Sequence, residues 1–545
     1  MAEHLRGIGV SPGRAAGPAY RMTPAPRVPD PSPVADPEAE AEQVRAALAA
    51  VAADLDRRAS AAGTGPATDI LRAQAMMAQD AELVEAAAAK ARAGCTAAAA
   101  IDASLAVHRQ AFQAAGGYLA ERVADLDDIR NRAVAACLGL PAPGIPTPDH
   151  PFVLVARDLA PADTAELDPE RVLALITEEG GPTSHTAILA RALGLPAVVM
   201  CGGALDLDHG VSVVVDGTTG EVTAGVDAAS VAATRVAEQR RRQRLASASG
   251  PGRTADGHPV ALYGNIGSAK DLHGDLEGVG LFRTELLYLN RTDPPDRDEQ
   301  AAAYAEVFAA MAGRRVIVRT LDAGADKPLP FLRQGAEPNP ALGVRGLRLA
   351  RRQPNVLRTQ LEAIAQAARQ TSAQVWVMAP MVATVAEAQR FVAACRDAGL
   401  PTAGAMVEVP AAALRARALL SVVDFLSIGT NDLSQYTFAA DRQCGELADL
   451  LDSWQPALLE LVAGCASAGL AAGKPVGVCG EAAADPRLAL VLTGLGVTSL
   501  SMAPRAVSEV REALAAHTLA ECRQLATEAL AADETRSDRS GATVG

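Results

Sequence analysis

Several features are missing from this sequence, and each absence excludes something. No window of 18 apolar residues is free of charge or helix breakers, so no transmembrane helix is expected. The start, MAEHLRGIGVSPGR, lacks a basic stretch leading into an apolar run, so no secretion signal is expected either. An excess of positive charge is also missing. Fifty Lys and Arg stand against 64 Asp and Glu, for a net charge of −14. That balance argues against nucleic acid or membrane insertion and leaves room only for local basic pockets that take anionic substrates. Lysine occurs only at 90, 270, 327 and 474; arginine carries the remaining positive charge, as a base-composition bias would produce. The eight cysteines (95, 137, 201, 395, 444, 465, 479, 522) include no CxxC and no ligand-like spacing. A disulfide framework or zinc site is therefore not expected, and a reducing, cytoplasmic setting fits.

At 545 residues the chain has length for about three domains. Its start, GIGVSPGRAAGPAY, reads as strand and turn, followed by a Pro-rich connector. Residues 29–139 are dominated by Ala-rich segments whose apolar positions recur at three and four. Gly63-Thr64-Gly65-Pro66, Gly94 and Gly116-Gly117 divide these segments, which predicts a helical bundle of four segments. Its acidic positions (Asp80, Glu82, Glu121, Asp125, Asp127, Asp128) read as a solvated face. Strand-like runs FVLVARDL, VLALITEEGG, AVVM and VSVVVDG then make 140–226, together with 1–28, an α/β domain. Residues 227–254 contain a charged helix with the character of a linker, and 532–545 form a polar tail expected to be disordered.

Between 255 and 531, eight short apolar runs alternate with helical texture: 260–266, 278–283, 316–322, 375–380, 404–409, 424–429, 475–480 and 499–504. That rhythm and size predict a (β/α)8 TIM-type barrel. Such a barrel carries its chemistry at the C-terminal strand ends. Asn265, Arg283, Arg319, Glu408, the Asn431–Asp432 pair and Cys479 all fall there. Arg283, Arg319, Arg442 and Lys327 point to an anionic, phosphorylated ligand, although each arginine could instead serve a structural ion pair. Glu408 and Asp432 supply oxygens suited to Mg²⁺, with helix capping as the alternative. A second site is GGPTSHTAILARALG, residues 180–194. Ser184 or Thr183 would cap a helix whose first turn presents His185 where its N–H groups favour an anion. A neutral imidazole there is a suitable nucleophile for a phosphoryl group, while a capping or packing role is the plainer reading.

Taken in order, GGPTSHTAILARALGLPAVV, GVGLFRTELLYLNR, VIVRTLDAGADK, NPALGVRGLRLA, MVEVPAA, FLSIGTNDLSQYTFAADR and VCGEAAADP resemble the phosphoenolpyruvate-protein phosphotransferase family, Enzyme I of the bacterial sugar phosphotransferase system. The likeness covers nearly the whole chain, including YLAERVADLDDIRNR at the end of the bundle. It implies that His185 takes the phosphoryl group from phosphoenolpyruvate and that Arg283, Arg319 and Arg442 hold the substrate, with Asn431–Asp432 beside them. It further implies Mg²⁺ on Glu408 and Asp432, and Cys479 as the acid that yields pyruvate. Arg345 and Lys327 would add positive charge, and Thr164 would orient His185. By the same resemblance the bundle docks the histidine-containing phosphocarrier protein, the barrel makes a homodimer, and the reaction opens sugar uptake. The sequence departs from the family at Pro182, at Ala325, at Gln74 (where histidine is expected) and in LLDSWQPALLEL at 450–461.

Two other readings compete. A phosphoenolpyruvate synthase or dikinase shares the His domain and barrel but needs a nucleotide-binding region; no GxxxxGK[ST] loop is present, and with a His domain beginning almost at residue 1 no such region is expected. A non-catalytic regulatory paralogue would be expected to lose one of His185, Glu408, Asp432 or Cys479, and all four are present.

Overall fold

The computed structural model describes all residues except 1–2, 31–33, 62–65, 116–122, 160–166, 182–183, 290, 292, 325–328, 330, 333–336, 443, 445–446, 448–449 and 533–545. Lys327, Thr164, Pro182, Thr183, Ala325 and all but the first residue of the 532–545 tail therefore lie outside the described residues. The chain divides into two compact units, Met1–Glu238 and Gln239–Gly545.

The first unit holds strands β1 (Glu3–Arg6), β2 (Ile8–Ser11), β3 (Arg14–Arg21), β4 (Phe152–Ala156), β5 (Val172–Thr177), β6 (Ala197–Val199), β7 (Ser212–Asp216) and β8 (Glu221–Ala224). They form one sheet in the order β1-β8-β7-β3-β4-β5-β6-β2. The β3-β4-β5-β6 stretch is parallel and the flanking pairs are antiparallel. FVLVA in β4 is buried at every position. Successive residues of a strand point to opposite faces, so Val153 and Val155 join one apolar cluster while Phe152, Leu154 and Ala156 join another. A continuous apolar run is thus what a strand covered on both faces requires.

Between β3 and β4 the chain forms five helices among the described residues: Pro37–Ala61, Pro66–Ala78, Ala81–Arg92, Ala97–Ala115 and Val123–Leu138. Their common core includes Val44, Leu48, Leu55, Ile101, Leu105 and Ile129. The extra break comes from Asp80, whose carboxylate accepts from the Glu82 and Leu83 N–H groups at 3.0 Å each and caps a new helix. Asp125 departs from the solvated-face reading as well: it is buried and accepts from Gln74 Nε2 at 2.9 Å. The charged helix Ala228–Ser247 follows β8.

The second unit is a closed barrel of eight parallel strands: β9 (Ala261–Ile266), β10 (Gly278–Arg283), β11 (Arg315–Arg319), β12 (Gln374–Ala379), β13 (Ala403–Val407), β14 (Leu426–Ile428), β15 (Val476–Val478) and β16 (Ser499–Met502). Each coincides with one of the eight apolar runs, and β16 closes onto β9. Leu281, Ile317, Met378, Met406, Phe425 and Cys479 form an apolar cluster distinct from the larger core shared with the surrounding helices. Among the described residues, no helix is long and apolar enough to cross a membrane.

Candidate active site at the barrel mouth

Parallel closure forces every strand's C-terminal end onto one rim, so residues far apart in sequence become neighbours. Arg319, the last residue of β11, is buried among carboxylates. Its guanidinium lies 3.1 Å from Glu285, 3.4 Å from Asp322 and 3.9 Å from Glu408. Arg345 is 1% exposed and donates to Asp322 at 3.1 Å and to Asp432 at 3.2 Å. Arg442 approaches the second Asp432 oxygen at 3.8 Å, and its backbone N–H donates to Gln435 Oε1 at 3.2 Å. Arg283 ends β10 on the exposed side. Asn431 opens the helix Thr430–Phe438 beside Asp432, and its Oδ1 accepts from the Glu481 N–H at 3.1 Å. Buried charges are tolerated only when so matched.

Glu408 follows β13 and is 1% exposed. Its Oε2 accepts from the Met381 N–H at 2.7 Å. Met381 holds a left-handed φ of 58°, an uncommon backbone for a side-chain-bearing residue and one that clusters at functional sites. Burial, then the nearby Asp322 and Asp432 charges, push the Glu408 carboxyl up to about 8. Among the described residues no group of three or more His, Cys, Asp or Glu is arranged to hold a metal. Two carboxylates nonetheless match Mg²⁺, which takes one or two from protein and the rest from substrate and water. The mutual repulsion at Glu408 is what a cation there would relieve.

Cys479 follows β15 and is 3% exposed. Its thiol donates to the Ile428 carbonyl at 3.5 Å. Burial chiefly pushes the thiol up to about 11, so it holds its proton at neutral pH. Asn265 turns out to be a seam rather than a ligand candidate: its amide donates to the Cys479 and Ser501 carbonyls, at 2.9 and 3.2 Å.

In the first unit, Ser184 is the cap of the helix His185–Leu193, accepting from the Ala187 N–H at 3.3 Å. The side chain of His185 lies outside what the structure describes. Thr186 Oγ1 donates to Asp158 Oδ1 at 2.8 Å, tying the turn to the end of β4. Gly180 has φ +85°, and a Cβ there would meet Asp158 and Ser184 oxygens at 3.2 Å.

Sequence reasoning passed over Glu285, Asp322, Met381 and Asp158. The first two stand next to strand ends in RTE and RTLD, and the strand-end rule applied one turn further would have found them. Met381's conformation left no sequence signal.

Family models of the PEP-utilising enzymes match three successive parts of the chain. They are the N-terminal region at residues 6–122, the mobile domain at 148–220 and the PEP-binding domain at 240–519. The phosphoenolpyruvate-protein phosphotransferase of Streptomyces coelicolor is 54% identical over 99% of this chain and 99% of its own. The protein of the same name from Bacillus subtilis is 36% identical over 93% of this chain and 94% of its own. A solution structure of Enzyme I covers 44% of this chain and 99% of its own, at 30% identity and a TM-score of 0.38. With all three parts matched in order and near-complete coverage by relatives, the chain belongs to the PEP-utilising enzymes, as a phosphoenolpyruvate-protein phosphotransferase of the Enzyme I type.

Proposed function

We propose that phosphoenolpyruvate binds at the barrel mouth with its phosphate and carboxylate held by Arg283, Arg319 and Arg442, and with Asn431 and Asp432 alongside. Guanidinium forks match both anions. Glu408 and Asp432 would hold Mg²⁺, which when bound neutralises charge on the phosphate oxygens. A ring nitrogen of His185 attacks phosphorus, and the bond from phosphorus to the enol oxygen breaks with its electron pair. The enolate carbon takes the proton of Cys479, giving pyruvate, and the thiolate regains a proton from water.

The observation that carries this reading is Cys479: a buried thiol, held protonated, on the same ring of strand ends as Arg319, Glu408 and Asp432. His185 and the barrel belong to separate units; in this scheme the histidine-bearing unit moves between substrate and acceptor, with the helix Ala228–Ser247 as its connection. The phosphoryl group then passes to a histidine-containing phosphocarrier protein docked on the helical bundle, as the first step of sugar uptake. The enzyme works in the cytoplasm as a homodimer joined through the barrel. The resemblance of the named motifs supports these last assignments.

Incubation with phosphate-labelled phosphoenolpyruvate and Mg²⁺ tests the scheme. Acid-labile, base-stable label is expected on the protein and none on His185→Ala. Label persisting on that variant would overturn the assignment.

A further inference from the structure

The ladder between β10 and β11 ends at the pair Arg283–Arg319, two of the residues proposed to hold the substrate. Beyond that last rung, side chains continue the hydrogen bonding. Thr284, next after Arg283, donates through Oγ1 to the Arg319 carbonyl at 3.0 Å. Gln360, on the helix Pro354–Ala368, receives the Leu321 N–H on its Oε1 at 2.9 Å. Its Nε2 donates to Thr284 Oγ1 at 3.0 Å and to the Tyr304 hydroxyl at 3.1 Å. The Tyr304 hydroxyl donates onward to Gln300 Oε1 at 3.2 Å, which the Tyr288 hydroxyl also reaches at 2.8 Å. Gln300 Nε2 ends the chain on the Pro295 carbonyl at 2.9 Å. Thr284, Tyr304 and Gln360 are 0% exposed, Tyr288 1% and Gln300 2%.

The proton accounting leaves little freedom. Thr284 Oγ1 spends its hydrogen on Arg319, so it must accept from Gln360; both Gln360 amide hydrogens are then used, and its oxygen serves Leu321. One amide orientation satisfies every partner. A fully satisfied buried network is rigid, because any slip strands a polar group away from water at about 1–3 kcal/mol.

We infer that Gln360 is a positioning residue: it fixes the strand ends bearing Arg283 and Arg319 in one register, so that two guanidinium forks meet one substrate. This rests on the proposed binding of phosphoenolpyruvate at the mouth. Gln360 touches no substrate; it acts through Thr284 and the backbone around Arg319. Displacing a binding group by about 1 Å is enough to cost about 100-fold.

The test is a double-mutant cycle read in KM for phosphoenolpyruvate on the full chain with Mg²⁺. Gln360→Leu is expected to raise KM about tenfold with kcat changed less than about threefold, the split of lost binding. Gln360→Glu, closer in shape, is expected to raise it too. Its carboxylate cannot donate to Thr284, whose hydroxyl must turn away from Arg319. If Gln360→Leu does not fold, Gln360→Glu carries the cycle. In an Arg319→Lys background either Gln360 change should add less than about twofold, because groups acting as one unit are not additive. Ile364→Ala, one turn along the same helix and equally buried, controls for lost stability and should leave KM within about twofold. An unchanged KM in both Gln360 variants, the same factor in both backgrounds, or an equal rise in Ile364→Ala would each overturn the inference. An unchanged KM in Arg319→Lys alone would instead remove the substrate reading of the mouth, and this inference with it.

Discussion

Cys479 holds its proton because water cannot reach a thiolate there: with the thiol pushed up to about 11, the charged form is rare at pH 7. A proton donor needs this property, and burial is its chief source, with the thiol also donating to the Ile428 carbonyl. In Cys479→Ser the hydroxyl holds its proton far more tightly, so pyruvate release should slow by about 10²–10⁴, the usual share of a positioned acid. Coupling pyruvate to a lactate dehydrogenase readout measures this, and a wild-type rate would exclude the thiol as the acid. Other single residues show how narrowly the sequence speaks. Asp80 and Asp125 look alike in composition, yet one caps a helix and the other is buried against Gln74. Gln74, noted for standing where histidine is expected, donates its amide N–H to the Asp125 carboxylate at 2.9 Å, a contact that a one-dimensional motif comparison does not show.

At the level of elements, the turns after β14 and β15 are held at a separation only glycine permits. A Cβ on Gly480 would stand 1.8 Å from Thr430 Oγ1 and 2.8 Å from Thr430 N, and one on Gly429 would stand 2.9 Å from Glu408 Cγ. Gly480→Ala must therefore push the Thr430–Asp432 turn outward. A loss of about 1–3 kcal/mol is expected from such overpacking, together with a fall in kcat/KM. Thermal unfolding and steady-state kinetics would reveal it, and a variant with unchanged melting and activity would show that the turn yields without cost. In the first unit, Asp80→Ala should cost about 1 kcal/mol of bundle stability through the lost cap, read from urea unfolding of the full chain. The eight barrel strands were legible because each is a short apolar run bounded by turns. The break at Asp80 was not, because the alanine periodicity continues across it and only the cap geometry interrupts the helix.

The whole molecule carries a shared sensitivity to alkali. Burial pushes Cys137, Cys201, Cys479 and Cys522 up to about 11, and Cys395 and Cys465 up to about 12, from an ordinary 9.0. Tyr263, Tyr288 and Tyr304 are raised in the same way, chiefly by burial. Each group therefore binds its proton more tightly folded than unfolded. The resulting stability is fully present below pH 9 and is lost as pH rises through about 11–12. Urea midpoints should fall between pH 9 and 11 more steeply than between pH 7 and 9. Cys395→Ala should reduce that slope, and a flat profile would contradict the burial of these thiols.

Sequence alone determined the order of the parts, the eight strands, the capped turn before His185 and the residue types at the strand ends, since hydrophobic period, glycine placement and chain order are local properties. It did not determine which charges meet. Glu285, Asp322, Arg345, Glu408 and Asp432 lie up to about 150 residues apart and become neighbours only when β16 closes onto β9 and brings all strand ends to one rim. The Gln360 network and the conformation of Met381 were likewise settled by packing, where burial demands a partner for every polar group and side-chain period cannot name one.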